Sequence, residues 1–79
     1  MSKQEPLREA RRIFAENLRR ERLSQGLSQE RLAERAGLHW TYVSDVERQR
    51  RNISIDNLAK LANGLGVELF ELFQDKSLI

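Results

Sequence analysis

Seventy-nine residues without a cysteine suffice for one small domain and exclude both a disulfide framework and a thiolate metal site. With 39% hydrophobic residues and no covalent staple, the chain has to build its core by packing alone. The net charge of +2 is unevenly spread: residues 1–52 carry twelve Lys/Arg against eight Asp/Glu, a balance of +4, whereas residues 53–79 carry two against four, a balance of −2.

Strand-like alternation is weak, and patterning predicts an all-α fold of five helices with short connections. Residues 1–5 are expected to be disordered, 6–74 to form the domain, and 75–79 to fray. The first helix runs from about Pro6 to Ser24, with Pro6 in its first turn, where a missing N–H costs nothing. Gly26 stops it. Ser28 caps a second helix, Gln29 to Ala36, which places Leu32, Ala33 and Ala36 on one face before Gly37 ends it. A third helix spans about Trp40 to Arg48, with His39 in its N-cap slot, and "RQRRN" (48–52) follows as a basic loop. Ser54 caps a fourth helix through Leu65, with Ile55, Leu58, Leu61, Ala62 and Leu65 on one stripe. Asn63-Gly64 weakens its last turn. A short fifth helix covers Glu68 to about Gln74.

The functional signal lies in the second and third helices. So short a connection makes them cross steeply, as in a helix-turn-helix, with Leu32, Ala33, Ala36, Leu38, Val43 and Val46 supplying the apolar contacts. Ala33 is small enough to let the helices approach. The stretch "LSQERLAERAGLHWTYVSDVERQRRNISIDNLAKLANGLGV" resembles the phage-repressor-type helix-turn-helix family, which includes lambda and 434 repressor, Cro and the XRE regulators. The matching elements are Leu27-Ser28-Gln29, Leu32-Ala33, Gly37-Leu38, Val43, Val46-Glu47-Arg48 and Leu65-Gly66-Val67. Within that family "TYVSDVERQRRNIS" looks closest to the restriction–modification controller proteins. The resemblance implies a compact five-helix lambda-repressor-like domain, a homodimer, and sequence-specific binding to a palindromic site on double-stranded DNA. It also implies that the third helix lies in the major groove while the start of the second grips the backbone.

Helical geometry tests those roles. With Val43 at the centre of the buried face, Val46 and Glu47 fall near it, and Thr41, Ser44, Asp45 and Arg48 fall opposite. Trp40 and Tyr42 lie on the two flanks. Thr41 and Ser44 are short enough to meet base edges, and Asp45 either accepts from a cytosine amine or pairs with Arg48 at i,i+3. Trp40 completes the base-reading candidates. It touches thymine methyls, donates to a phosphate, or folds back onto the protein. The controller-like relatives often have "DRTY" where this chain has "HWTY". Ser28, Gln29, Tyr42, Arg48, Arg50, Arg51 and Asn52 are the phosphate candidates, Tyr42 through its hydroxyl. A first-turn glutamine and a solvated charge run are the plainer alternatives for Gln29 and the arginines. Glu47 projects toward the buried side, where a lone carboxylate is expensive, and the resemblance implies that it pairs with Arg22. Leu69, Phe70, Leu72 and Phe73 cover more than one face of the fifth helix, with Leu69, Leu72 and Phe73 able to share one. A dimer interface built on that helix is therefore expected, against the alternative that it simply caps the core.

Competing classes are poorly supported. No Gly-rich phosphate loop or metal-ligand cluster is present, and a lone His39 beside Ser44 and Asp45 on one short helix does not make a catalytic triad. The first helix carries Arg and Glu around much of its circumference and so lacks a membrane-binding face, and no apolar run approaches membrane-spanning length. The basic N-terminus also lacks a signal peptide's apolar segment. The expectation is a cytoplasmic transcriptional regulator with no enzymatic activity, no cofactor and no small-molecule effector. The alternative is a protein-interaction module, or an antitoxin using the same fold.

Overall fold

A computed structural model of the protein describes residues 5–76. Of the expected disordered stretch 1–5, residues 1–4 lie outside it, as does the last part of the expected tail, 77–79, whereas Glu5 opens the first helix. Along the chain run α1 (Glu5–Ser24), α2 (Gln29–Ala36), α3 (Trp40–Glu47) and α4 (Ile55–Leu65), then a 3-10 helix at Leu69–Phe73. No strand occurs among the described residues.

The N-caps follow from residue chemistry. Ser28 Oγ accepts the Arg31 N–H at 3.0 Å, and Ser54 Oγ accepts the Asn57 N–H at 3.2 Å. His39 does the same for α3, its Nδ1 accepting the Thr41 N–H at 3.2 Å. Each side chain satisfies an N–H that the first helical turn leaves without a backbone partner.

All four helices end in the same hydrogen-bonded turn, a Schellman motif closed by a left-handed residue. Gly26, Gly37 and Gly66 fill three of these positions, with φ between 68° and 72°. The fourth is Gln49, at φ 60°. Its N–H donates to the Val46 carbonyl at 3.0 Å, and the Arg50 N–H donates to the Asp45 carbonyl at 2.9 Å. Consequently α3 stops at Glu47, one residue before the expected Arg48, which becomes its C-cap.

The core centres on Phe14, Leu18, Leu32, Val43 and Leu61. Helix α2 packs against both α3 and α4. The approach of α4 to α2 is close: a Cβ on Gly64 would lie 3.2 Å from Leu32 Cδ1 and 3.3 Å from Ala36 Cβ. Gly64 therefore does more than loosen the last turn of α4, because its bare Cα admits the neighbouring helix. Ile55 departs from the expected stripe. It has the right angular position but, in the first turn of α4, is 66% exposed.

The fifth segment requires a correction. It is five residues of 3-10 helix, with no side-chain cap at Glu68, instead of an α-helix to Gln74. At about three residues per turn, Leu69 eclipses Leu72, and Phe70 eclipses Phe73. The first pair faces inward, with Leu72 buried and Leu69 packed against the core. The second pair faces outward, Phe70 at 62% and Phe73 at 40% exposure, so Phe73 shares a face with Phe70 and not with the leucines. Phe73 still rests one edge on Phe14, with ring centroids 5.1 Å apart. This segment is tied to α1 by the buried Asn17, whose Nδ2 donates to the carbonyls of Leu72 (3.0 Å) and Gln74 (2.7 Å). Asp75, in the stretch expected to fray, pairs with Arg12 at 3.2 Å.

Gln49 holds a conformation that costs a residue with a side chain about 1 kcal/mol or more. Gln49→Gly should therefore raise the urea midpoint of unfolding, with a gain of up to about 1 kcal/mol. A lowered midpoint would show that the glutamine side chain makes a contact worth more than the strain.

Candidate nucleic-acid interface

Three residues, Gly37 to His39, join α2 to α3. The left-handed Gly37 turns the chain, Leu38 returns its N–H to the Ala33 carbonyl at 2.9 Å, and His39 at once caps the next helix. Helix α3 buries Val43 and Val46 against this turn, which leaves its opposite side to solvent. On that side Trp40, Thr41, Ser44, Asp45 and Arg48 line one shallow concave patch. The structure thus brings together all four base-reading candidates and Arg48.

Their accessibility differs from what angular position alone implies. Trp40 is 47% exposed, whereas Ser44 is 8% exposed. Ser44 sits one turn from both Trp40 and Arg48, and these two large side chains flank the small one. Asp45 does not pair with Arg48. Its Oδ2 accepts from Arg51 Nη2 at 3.2 Å, because the turn at Gln49 brings the following residues back beside α3.

Tyr42 departs further. Its side chain is buried, and its hydroxyl has no hydrogen-bond partner among the described residues. A phosphate contact through that oxygen requires exposure that this position lacks. Tyr42 lies only about 40° around the helix from Val46, and Arg51 stacks its guanidinium 5.0 Å from the ring centroid.

Among the other phosphate candidates, Ser28, Arg48, Arg50 and Arg51 are exposed. Gln29 is half-buried, and its Nε2 donates inward to Glu47 Oε1 at 3.1 Å. Asn52 is not part of the α3 face. Its Oδ1 accepts from Arg11 of α1, and it lines an apolar groove with Leu7, Phe14, Ile53 and Phe73. Sequence reasoning passed over Arg19, which shares a polar cleft with Arg22, Gln29, Glu47 and Arg48. The signal was present, because Arg19 stands one helical turn before Arg22 on the same face of α1.

Beneath the patch lies a buried ion pair. Arg22 Nε donates to Glu47 Oε2 at 2.7 Å and Nη2 to Oε1 at 3.0 Å, a two-point contact. The third guanidinium nitrogen donates to the Leu27 carbonyl at 2.7 Å. The hydrogen bond to Glu47 raises the Arg22 pKa above its ordinary value and outweighs the opposing effect of burial. Since the folded-state pKa is raised, this stabilisation is fully present below the unfolded-state pKa and is lost only in strong alkali.

Residues 18–72 match the helix-turn-helix family. The chain belongs to that family. It is 48% identical over 59 residues to control protein C.BamHI of Bacillus amyloliquefaciens, covering 73% of each chain. A hypothetical transcription factor of Neisseria meningitidis serogroup B is 48% identical over 62 residues, 78% of this chain, which spans 58% of that relative's length. Among solved structures, the restriction–modification controller protein C.AhdI of Aeromonas hydrophila superposes with a TM-score of 0.77. It is 48% identical, with 80% of this chain and 96% of that one covered. These family members are named as control proteins or transcription factors and not as enzymes, in keeping with the absence of catalytic motifs from the sequence.

Removing one partner of a buried ion pair costs about 3–5 kcal/mol, because the other charge is left desolvated. Glu47→Ala is therefore expected to lower unfolding stability by about 3 kcal/mol, with Glu47→Gln losing less because its amide oxygen still accepts. Chemical denaturation of the two variants checks this order, and equal losses would assign the whole effect to the missing charge, since glutamine keeps the packing.

Proposed function

We propose that the protein is a sequence-specific, double-stranded DNA-binding transcriptional regulator that acts as a homodimer on a palindromic operator. The observation that carries this reading is the outward patch of α3, flanked by the exposed arginines that follow that helix. A helix of this length, with one side free of protein, fits the major groove. Its far side is anchored by the turn from α2, so it enters the groove as a rigid probe. Arg48, Arg50 and Arg51 are exposed at and beyond the end of α3 as candidates for a duplex's phosphates, and Arg19 and Gln29 share a polar cleft with Arg48. The kinship with control proteins supports the same reading.

One such helix reaches few base pairs, so strong discrimination calls for two copies on a symmetric site. The outward pair Phe70 and Phe73 on the 3-10 helix supplies an apolar surface for the second copy, while Leu69 and Leu72 are committed to the protomer's own core. No effector-binding module is needed, since protein concentration and dimerisation suffice to set occupancy.

Selection of bound sequences from a random DNA pool at physiological salt tests the proposal. A palindromic motif supports it, and no enrichment would sink it. Phe70→Ser should leave the unfolding midpoint nearly unchanged but shift sedimentation from dimer to monomer. An unaltered dimer would move the interface elsewhere. Arg50, whose side chain has no partner among the described residues, should contribute one phosphate contact. Arg50→Ala is expected to weaken binding to all sequences alike and to flatten the slope of log K against log salt by about one unit. A steeper loss on one sequence than on others would instead make Arg50 a base contact.

A further inference from the structure

The outward face of α3 offers fewer free polar groups than its sequence suggests. Thr41 Oγ1 lies 2.8 Å from His39 Nδ1, and the same nitrogen accepts the Thr41 N–H. A ring nitrogen that accepts the N–H carries no proton, so the threonine hydroxyl spends its own proton on it. Asp45 is occupied by Arg51, and Ser44 is buried. What remains free on the patch is the guanidinium of Arg48, without a partner among the described residues, and the indole of Trp40. That indole is held in place. The His39 ring stacks against it with centroids 6.1 Å apart and planes 29° from parallel, and His39 is itself fixed by its role as the cap of α3.

We propose that Trp40 is a specificity-determining residue that reads the C5-methyl group of a thymine in the major groove. The assignment rests on the DNA-binding reading above and names the chemistry that its helix recognises. Thymine is the one base that presents a methyl group in that groove; the others present only hydrogen-bond donors and acceptors along their edges. Indole has a single N–H donor and no acceptor, so it cannot distinguish bases by paired hydrogen bonds. Its half-exposed apolar surface can do so by burying a methyl group, and a surface already held by stacking loses little freedom when it does.

The experiment starts from an operator obtained by selection and uses the full chain. Each thymine is replaced in turn by uracil, which deletes only the methyl group. The wild-type protein is expected to lose affinity about fourfold or more at one thymine of each half-site, the factor for burying one CH2-sized group. Trp40→Ala should bind the thymine and uracil operators equally. Trp40→Arg, whose guanidinium grips guanine at two points, should move the preference at that position from thymine to guanine. A uracil scan without a position-specific loss overturns the assignment. So does a loss that persists in Trp40→Ala, or a thymine preference retained by Trp40→Arg. A selection that enriches nothing is a different failure: it overturns the DNA-binding reading itself, and this assignment with it.

Discussion

The pair of Arg22 and Glu47 ties the end of α1 to the end of α3 by charge, where the core joins the two helices by packing. Arg22 stands in the last turn of α1, Glu47 in the last turn of α3, and the intervening Leu27 carbonyl and Gln29 amide complete their hydrogen bonds. Each of the three guanidinium nitrogens thereby donates one hydrogen bond, and the carboxylate accepts three. Such satisfaction is what makes a buried charge tolerable, since either group alone would be severely penalised. Its effect is geometric as much as energetic. The angle at which α3 leaves the domain is fixed at both ends, by the Gly37 turn at its start and by Glu47 at its finish.

That rigidity changes how the exposed face of α3 should be understood. Thr41, Asp45 and Arg51 already have protein partners before any ligand arrives. A surface whose polar groups are engaged in advance loses little side-chain freedom on binding, but it also has fewer hydrogen bonds to offer. On the proposed DNA-binding reading, discrimination falls to the groups left over, an indole and a guanidinium, with the partnered residues holding them.

Local chemistry made much of this legible. The bounds of α2 were readable because Ser28 and Gly37 punctuate both of its ends. The end of α3 was not, because its left-handed residue is a glutamine, for which no composition signal exists. Angular position placed Thr41 and Asp45 on the outer face, but it did not show that Tyr42 joins the core or that Arg51 returns over its ring, a return that follows from the same unsignalled turn. The fifth segment was legible as apolar and helical in pattern. Its 3-10 winding reflects tertiary context, in which Asn17 takes the Leu72 and Gln74 carbonyls that an extended α-helix would compete for. Asn17 itself carries no motif. A single amide within an Arg-rich helix announces nothing until the partner it clamps is known.

The Asn17 clamp also has a temporal side. It links residues 55 and 57 positions apart, and the leucine it positions closes the core over Phe14 and Leu18. During synthesis α1 precedes the elements that cover it; α3 and α4 supply part of that cover, and the last of it comes with the segment around Leu72. Local helix formation can begin early, but closure of the domain waits for nearly all of the described chain. A ribosome stalled short of Leu72 would therefore yield a chain whose core is open on that side and whose α1 is unclamped.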